Sequence, residues 1–294
     1  MLNWHKYNES LVRRGEIVLD FDVIDNWHHE LNGMNDGKEG AAYRYPDSFV
    51  QLLGYMRVYF HLPYRQTEGV VRAHACNKVP AVPDYSTINR RINKLDIKLN
   101  NRIGNDIVIV LDSTGIKVTN RGEWLPHKWN IRKGYLKIHL AVDIKKKKIV
   151  SLEVTSEEVH DGSRLRVLVD KAMENNDVKR VIADGAYDSN ENFRYLYDND
   201  IEAAIKIRKN SSSLSSSSRG RAYSSPRNVV VLKQLKNYKR WKHNINYGYR
   251  WIAETAFSSI KRMFGEYVSA RKYPNMVKEI LLKASLYNMF ISMK

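Results

Sequence analysis

Ile107-Val108-Ile109-Val110-Leu111 is a continuous apolar run that ends in Asp112-Ser113-Thr114-Gly115. Its β-branched residues favour a strand, and its unbroken apolar character predicts that the strand is buried on both faces of a sheet. A second, short strand is predicted at residues 178–183 and ends in Asp184. Aspartates that directly follow buried strands lie at the rim of an α/β sheet, where such folds place their sites. Either aspartate alone is more simply a turn or cap residue.

The segments around these two runs predict an α/β fold. Residues 135–144 and 149–155 are apolar stretches on either side of a basic turn, which is typical of a strand hairpin. Residues 164–173 have the period of an amphipathic helix. Further along the chain, the pattern predicts a helix at 192–197, a strand at 201–207, a long helix at 245–265 and a final helix at 276–293. This order indicates a mixed sheet with flanking helices and an antiparallel edge.

A smaller helical region is predicted over residues 1–100. Helices are expected at 21–31, 47–60 and 64–74, and Gly33, Gly37 and Gly40 predict a loop. A fourth helix is expected after Ser86 as N-cap, with Ile88, Ile92 and Leu95 on one face. The last two helices, the second of them basic and rich in Asn, resemble a helix-turn-helix. A plain helical bundle is an equal alternative, because the connection between them is long.

Composition and charge restrict the class of protein. The chain has 294 residues, a formal net charge of +17, a sequence pI of about 9.7 and a single cysteine, Cys76. One cysteine excludes an intramolecular disulfide framework and a Cys-rich zinc site. The short apolar runs and the polar N-terminus predict an intracellular protein without a membrane span or signal peptide. The positive excess favours a polyanionic partner, above all nucleic acid.

The charge is unevenly distributed along the chain. Residues 151–200 carry a net −6 and residues 201–250 a net +11. Carboxylates repel the phosphates that a neighbouring basic surface would bind. A divalent metal ion bound between them would explain why both kinds of group occur together. Within the basic block, the Ser-rich segment 210–225 predicts a mobile loop, and we expect it to become ordered on DNA.

The predicted helix at 245–265 carries the spacing Tyr247-x2-Arg250-x3-Glu254-x6-Lys261. At 100° per residue these four side chains fall within an arc of roughly 60°, beside the apolar stripe. A solvated Arg–Glu pair at i, i+4 explains two of them. It does not explain why Tyr247 and Lys261 lie on the same face of the predicted helix.

Together with Asp112 in VLDSTGIKV and Asp184 in IADGAYDS, this helix pattern resembles the DDE transposases of prokaryotic insertion sequences. More narrowly, the chain is similar to the insertion-sequence-five-like branch. Similar segments are WNIRKGYLKIHLAVD at 129–143, EVHDGSRL at 158–165, LPYRQTEG at 62–69 and DYSTINRR at 84–91. The resemblance extends from about residue 45 to the end of the chain.

The resemblance implies an RNase H-like catalytic core at 101–294, with a basic Ser-rich insertion near 208–235. It implies that Asp112, Asp184 and Glu254 are catalytic and bind two Mg²⁺ or Mn²⁺ ions, whose preferred ligands are such hard oxygens. Tyr247, Arg250 and Lys261 would contact DNA phosphates. The implied partners are the inverted-repeat ends of the element and target DNA, bound by a homodimer in the cytoplasm or on the nucleoid. Residues 1–100 would bind DNA, mediate dimerisation, or both.

Two other functions remain open from the sequence. One is a DNA-binding protein without catalysis, such as a repressor or a retired transposase, and the other is an RNase H-like nuclease. Among secondary residues, Asp188 is predicted to cap the next helix and Asp143 to belong to a hairpin. His139 is expected to be a hydrogen-bonded core residue, whereas His160 and Asp161 could lie near the site but are not expected to act in it.

Overall fold

Strand β1 (Ile107–Val118) is the central strand of a mixed sheet in the computed structural model, which describes residues 4–18, 22–75, 78–118, 134–208 and 225–293. The helices and strands, in chain order, are α1 (Trp4–Val18), α2 (Trp27–Asn35), α3 (Asp47–Tyr59), α4 (Tyr64–Ala75), α5 (Tyr85–Lys94), β1, β2 (Tyr135–Asp143), β3 (Ile149–Ser156), α6 (Leu165–Met173), β4 (Val178–Ala183), α7 (Asn190–Asp198), β5 (Glu202–Ile205), α8 (Pro226–Lys236), α9 (Tyr238–Asn244), α10 (Trp251–Phe264), β6 (Tyr267–Val268) and α11 (Tyr273–Ser292).

The sheet has the strand order β3-β2-β1-β4-β5. Strands β1, β2 and β3 are antiparallel neighbours, whereas β4 and β5 run parallel to β1. The parallel strands are linked through helix α7, as parallel neighbours require a crossover. This arrangement confirms the predicted mixed sheet with flanking helices.

Strand β1 does not end before Asp112, as the apolar run suggested. It continues to Val118 because the polar residues after Leu111 pair with β2, Asp112 opposite Leu140 and Ser113 opposite His139. The backbone ladder, not side-chain hydrophobicity, extends the strand here. Asp112 is therefore held by ladder hydrogen bonds on a central strand rather than in a turn.

Two apolar layers cover the two faces of this sheet. On one face, Leu111 and Ala141 pack with Leu168 of α6 and Phe193 of α7, all buried. On the other face, a second cluster contains Val110, Ile182, Ala204, Trp241, Ile245, Tyr247 and Ala253. Alternation along β1 places Leu111 and Val110 on opposite faces, so Asp112 lies on the face of the second cluster.

The chain divides into two compact units, Leu99–Lys261 and a unit formed by Met1–Lys98 with Arg262–Lys294. The second of these is helical. Helix α3 packs on α11 in it, and Tyr55 of α3 hydrogen-bonds Ser285 of α11 at 2.8 Å. The last 33 residues thus group with the N-terminal helices. The catalytic region at 101–294 stays a prediction.

Several predicted bounds in the helical unit need correction. Helix α1 was missed, and α2 begins at Trp27 instead of residue 21, because Trp27 is the residue that anchors it against Phe49. Gly33 lies inside α2 rather than in a loop. Helix α5 is capped by Asp84, whose side chain accepts from the amides of Ser86 and Thr87, so Ser86 is not the N-cap.

Helices α8 and α9 were also missed, within and just after the predicted basic insertion. Ser225 caps α8 by accepting from the amide of Asn228, and Pro226 occupies its first turn. Residues 209–224 of the Ser-rich stretch, residues 129–133 and Cys76 lie outside the described residues. No helix in the described part of the chain is long and apolar enough to cross a membrane.

Candidate active site

Asp112 projects from β1 with its side chain 20% exposed. Its Oδ1 accepts a hydrogen bond from the amide of Ser113 at 2.9 Å. The pKa of Asp112 is raised to about 6, chiefly by burial and also by the negative charges of Asp184 and Glu254, whereas the Ser113 amide and Arg250 oppose the rise. Both other predicted acids thus contribute to the electrostatics at Asp112.

Asp184 comes directly after β4, as predicted. Its Oδ1 accepts from the amide of Ala186 at 2.8 Å, which caps a short 3₁₀ turn, Gly185–Tyr187. Val110 of β1 pairs with Ile182 of β4, and two residues further along these parallel strands come Asp112 and Asp184. The register therefore brings the two aspartates side by side at the rim of the sheet.

Glu254 and Arg250 complete the acidic side of the site. The Arg250 guanidinium contacts Glu254 Oε1 at 2.6 Å and Asp112 Oδ2 at 3.6 Å. Glu254 lies in the first turn of α10 and is 55% exposed. One arginine thus bridges two carboxylates that are 142 residues apart in sequence.

The predicted helix at 245–265 is not one continuous α-helix. Residues Tyr247–Arg250 form a 3₁₀ turn, and α10 begins only at Trp251. The turn starts after Asn246, whose backbone has φ of +56°, a left-handed conformation that interrupts helical geometry. The 100° spacing used for the four-residue stripe is therefore wrong for Tyr247.

Tyr247 consequently leaves the exposed stripe and joins the core. It is 7% exposed and its ring packs at 5.3 Å from that of Trp241. Burial raises the pKa of Tyr247 well above its usual range, and the negative charges of Asp184 and Asp112 add to the rise, whereas Arg250 opposes it. Lys261 Nζ donates to Thr114 Oγ1 at 3.0 Å, two residues along β1 from Asp112.

The chemistry of the donor set fits a hard divalent ion, since all three acidic side chains present carboxylate oxygens. Within the described ranges, however, no group of three His, Cys, Asp or Glu is arranged closely enough to hold a metal ion. Arg250 supplies the positive charge between Asp112 and Glu254 in this structure. Burial is the main cause of the raised pKa of Asp112, and a bound cation would favour the charged form of that carboxyl group.

The free energy of unfolding of the metal-free protein should depend on pH because the pKa of Asp112 is raised in the folded state. The pKa of Asp112 is raised from 3.8 to about 6, so the folded state binds its proton more tightly and stability falls as pH rises through that window. Asp112→Asn should remove this loss of stability and stabilise the protein above pH 6 by about 2–3 kcal/mol, with no difference near pH 4. Urea unfolding in EDTA from pH 4 to 8 measures this. A difference that does not depend on pH would contradict it.

The sequence did not predict the ionic contacts of Asp188, which comes just after the Asp184 turn. Asp188 is not the predicted cap of α7, a role that belongs to Ser189. Its carboxylate is instead paired with Arg227 at 2.6 Å and accepts from the backbone amide of Arg208 at 2.9 Å. Only tertiary structure brings these residues together, so no local pattern could have identified them.

The predictions for His139 and Asp143, both in β2, are confirmed. His139 is fully buried, and its Nε2 lies 2.9 Å from Thr155 Oγ1. Asp143 accepts from the amides of Lys145 and Lys146 in the hairpin. His160 caps a 3₁₀ turn by accepting from Gly162 N.

Asp161 lies near the site, as the sequence left open. It pairs with Lys137 at 3.0 Å. Burial raises the pKa of Tyr187, and the charges of Asp161, Asp112 and Asp184 contribute, which places all three aspartates around that ring.

A basic and aromatic cavity of about 470 Å³ opens next to the start of α10. Trp251 and Tyr249 are each more than 40% exposed, which is unusual for large aromatic side chains. Lys147 Nζ lies 5.5 Å from the centroid of the Trp251 ring. The residues that line the cavity are Lys239, Lys242, His243, Asn246, Gly248, Tyr249 and Trp251.

This chain matches known proteins at the level of a protein family and, at low identity, resembles solved structures. Family models described as a transposase DDE domain match residues 103–289 and residues 12–121. Among solved structures, the piggyBac transposase synaptic complex with hairpin DNA is 11% identical, with a TM-score of 0.39 over 96% of this chain and 74% of that chain. The simian T-cell lymphotropic virus intasome in complex with the PP2A regulatory subunit B56 gamma is 12% identical, with a TM-score of 0.28 over 68% of this chain and 65% of that chain.

The first family match covers more than half of the chain and contains every predicted site residue, from Asp112 to Lys261. The narrower insertion-sequence-five-like branch stays a prediction. On the family match, this chain belongs to the DDE transposases, a family of metal-dependent DNA endonucleases and strand transferases.

Proposed function

We propose that this transposase binds the inverted-repeat ends of an insertion sequence, hydrolyses a phosphodiester bond at each end and joins the freed 3′-hydroxyl to target DNA. One observation carries the proposal: the register of β1 with β4 sets Asp184 beside Asp112, and Arg250 contacts both Asp112 and Glu254. A protein that only binds DNA gains nothing from carboxylates beside phosphates, because like charges repel.

Asp112, Asp184 and Glu254 would hold two Mg²⁺ or Mn²⁺ ions. Such ions activate a water or a 3′-hydroxyl and stabilise the leaving oxygen in an in-line displacement. The Ser113 and Ala186 amides fix Oδ1 of Asp112 and Oδ1 of Asp184. A metal ion at Asp112 would share Oδ2 with Arg250 or displace it, since that oxygen faces the guanidinium at 3.6 Å.

The phosphate-binding roles fall on the cations around these acids. The Arg250 guanidinium carries five N–H donors in a planar fork, more than its contacts with Asp112 and Glu254 use. Lys261 adds a point charge beside β1. Tyr247 contributes to the same surface chiefly by its buried ring, which supports the turn that carries Arg250.

Two further surfaces fit DNA. The cavity beside α10 combines two lysines with the exposed rings of Tyr249 and Trp251, a set suited to a phosphate backbone and to stacking. In the helical unit, α5 exposes Asn89 and Arg90 while it buries Ile88 and Ile92. We propose that α5 contacts the element end, with the protein acting as a homodimer because two ends must be brought together.

Salt dependence of binding tests the phosphate contacts. Each neutralised phosphate contributes about −0.9 to the slope of log K against log salt on duplex DNA. Lys261→Met should weaken binding of end DNA and make that slope about one unit less steep. Fluorescence anisotropy between 50 and 200 mM salt measures both, with Lys179→Met, an exposed lysine of β4, as the control. An unchanged slope would argue against a phosphate contact by Lys261.

The central assay incubates purified protein with Mg²⁺ and labelled DNA that carries the candidate element end. Nicking followed by joining to a target plasmid supports the proposed transposase activity. Binding without nicking would favour the non-catalytic DNA-binding protein, and cleavage of RNA–DNA hybrids in preference to element ends would favour the nuclease. Light scattering with and without end DNA tests the dimer.

A further inference from the structure

The turn that carries Asp184 is contacted by an arginine from a different segment. Arg208 follows β5, and its Nε donates to the carbonyl of Gly185 at 2.8 Å while its NH2 donates to the carbonyl of Ala186 at 3.2 Å. Arg208 is itself exposed, so its removal would leave no cavity in the core. A single guanidinium therefore bridges the two carbonyls that come directly after Asp184.

One planar peptide links this arginine to the carboxylate. The Gly185 carbonyl and the Ala186 amide belong to the same peptide unit, which is rigid and trans. Arg208 holds the carbonyl end, and the N–H end donates to Asp184 Oδ1 at 2.8 Å. Any rotation of this peptide would break one of the two hydrogen bonds, and a charged donor on the carbonyl polarises the N–H toward the carboxylate.

A buried ion pair anchors Arg208 in turn. Its backbone amide donates to Asp188 Oδ2 at 2.9 Å. Arg227 donates from two nitrogens to the two oxygens of Asp188, at 2.6 and 3.1 Å, and the Asp188 side chain is only 1% exposed. Such a bidentate pair has a fixed geometry. The order of contacts is therefore Arg227, Asp188, Arg208, the 185–186 peptide and Asp184.

We propose that Arg208 is a positioning residue for Asp184, and that it fixes the orientation of the carboxylate through the 185–186 peptide with the Asp188–Arg227 pair as its anchor. The expected effect of Arg208 on metal binding rests on the proposed function, whereas its expected effect on the order of the turn after Asp184 does not. The competing role is a direct phosphate contact, which the exposure of Arg208 would also allow.

The first experiment uses the metal-free full-length protein. Hydrogen–deuterium exchange of peptides spanning 184–188 should become about tenfold faster in Arg208→Ala, because the 185–186 peptide loses the donor that fixes its carbonyl end and its N–H is then held less firmly to Asp184. Arg194→Ala, which removes an exposed arginine of α7, should leave that exchange unchanged. Equal exchange in wild type and Arg208→Ala would overturn the inference whether or not the protein is a transposase.

The second experiment separates positioning from DNA contact. If Arg208 positions Asp184, Mn²⁺ affinity by electron paramagnetic resonance should fall about tenfold in both Arg208→Ala and Arg208→Lys, since lysine cannot bridge two carbonyls. Affinity for end DNA in EDTA should stay unchanged. Loss of DNA affinity in Arg208→Ala with rescue by Arg208→Lys, and unaltered Mn²⁺ binding, would overturn positioning in favour of a phosphate contact. No Mn²⁺ binding by the wild type would contradict the proposed function and leave the exchange result to decide the inference.

Discussion

Replacing Asp112, Asp184 or Glu254 with its neutral isostere should lower the rate of end cleavage by about 10³-fold or more. Each replacement should reduce the stabilisation of charge in the transition state by several kcal/mol. The variants are Asp112→Asn, Asp184→Asn and Glu254→Gln. Each keeps the size of the side chain, so binding of end DNA in EDTA should persist or tighten slightly as a negative charge is removed. Single-turnover cleavage of labelled end DNA in Mg²⁺ measures the rate.

Asp198→Asn is the matched control, because it removes an exposed carboxylate at the end of α7. Its cleavage rate should equal that of the wild type. Wild-type cleavage by Glu254→Gln would contradict the assignment of the third acid. Since Asp112→Asn is also expected to be the more stable protein in EDTA, loss of its activity could not be ascribed to unfolding.

The features that sequence predicted well are those governed by local hydrophobic patterns. The segments that became β1 and β4 are rich in Val and Ile, residues that favour strands, and most of these side chains are buried. Asp184 was correctly placed after β4 for the same reason. The contact of Arg250 with Glu254 follows from their i, i+4 spacing alone.

The features that sequence missed depend on contacts between distant segments. Asp112 lies within β1 because polar residues after it pair with β2, which no property of the run itself reveals. Tyr247 leaves the helical stripe because the left-handed Asn246 starts a separate turn. The bond between Arg208 and the Asp184 turn joins residues more than 20 positions apart, so no periodicity connects them.

In the helical unit, a buried carboxylate faces two buried cations. Glu279 of α11 is 5% exposed and lies 3.6 Å from both Arg57 and Lys283. It also accepts from the amides of Ser269 and Ala270 at about 3.0 Å. Burial lowers the pKa of Lys283, and the Glu279 carboxylate opposes this effect.

Glu279→Ala should therefore lower the free energy of unfolding by about 3–5 kcal/mol, because two buried cations lose their counter-charge and two amides lose their acceptor. Urea unfolding monitored by circular dichroism measures the loss, and Glu266→Ala, an exposed glutamate in the same unit, should change it by less than about 0.5 kcal/mol. The triple variant Arg57→Met, Glu279→Met, Lys283→Met should recover much of the stability, since apolar side chains of similar volume can replace a buried ionic network without leaving a charge unpaired. If Glu279→Ala were as stable as the wild type, the cations would be neutralised by some other group or by water, and Glu279 would not be the residue that holds this network together.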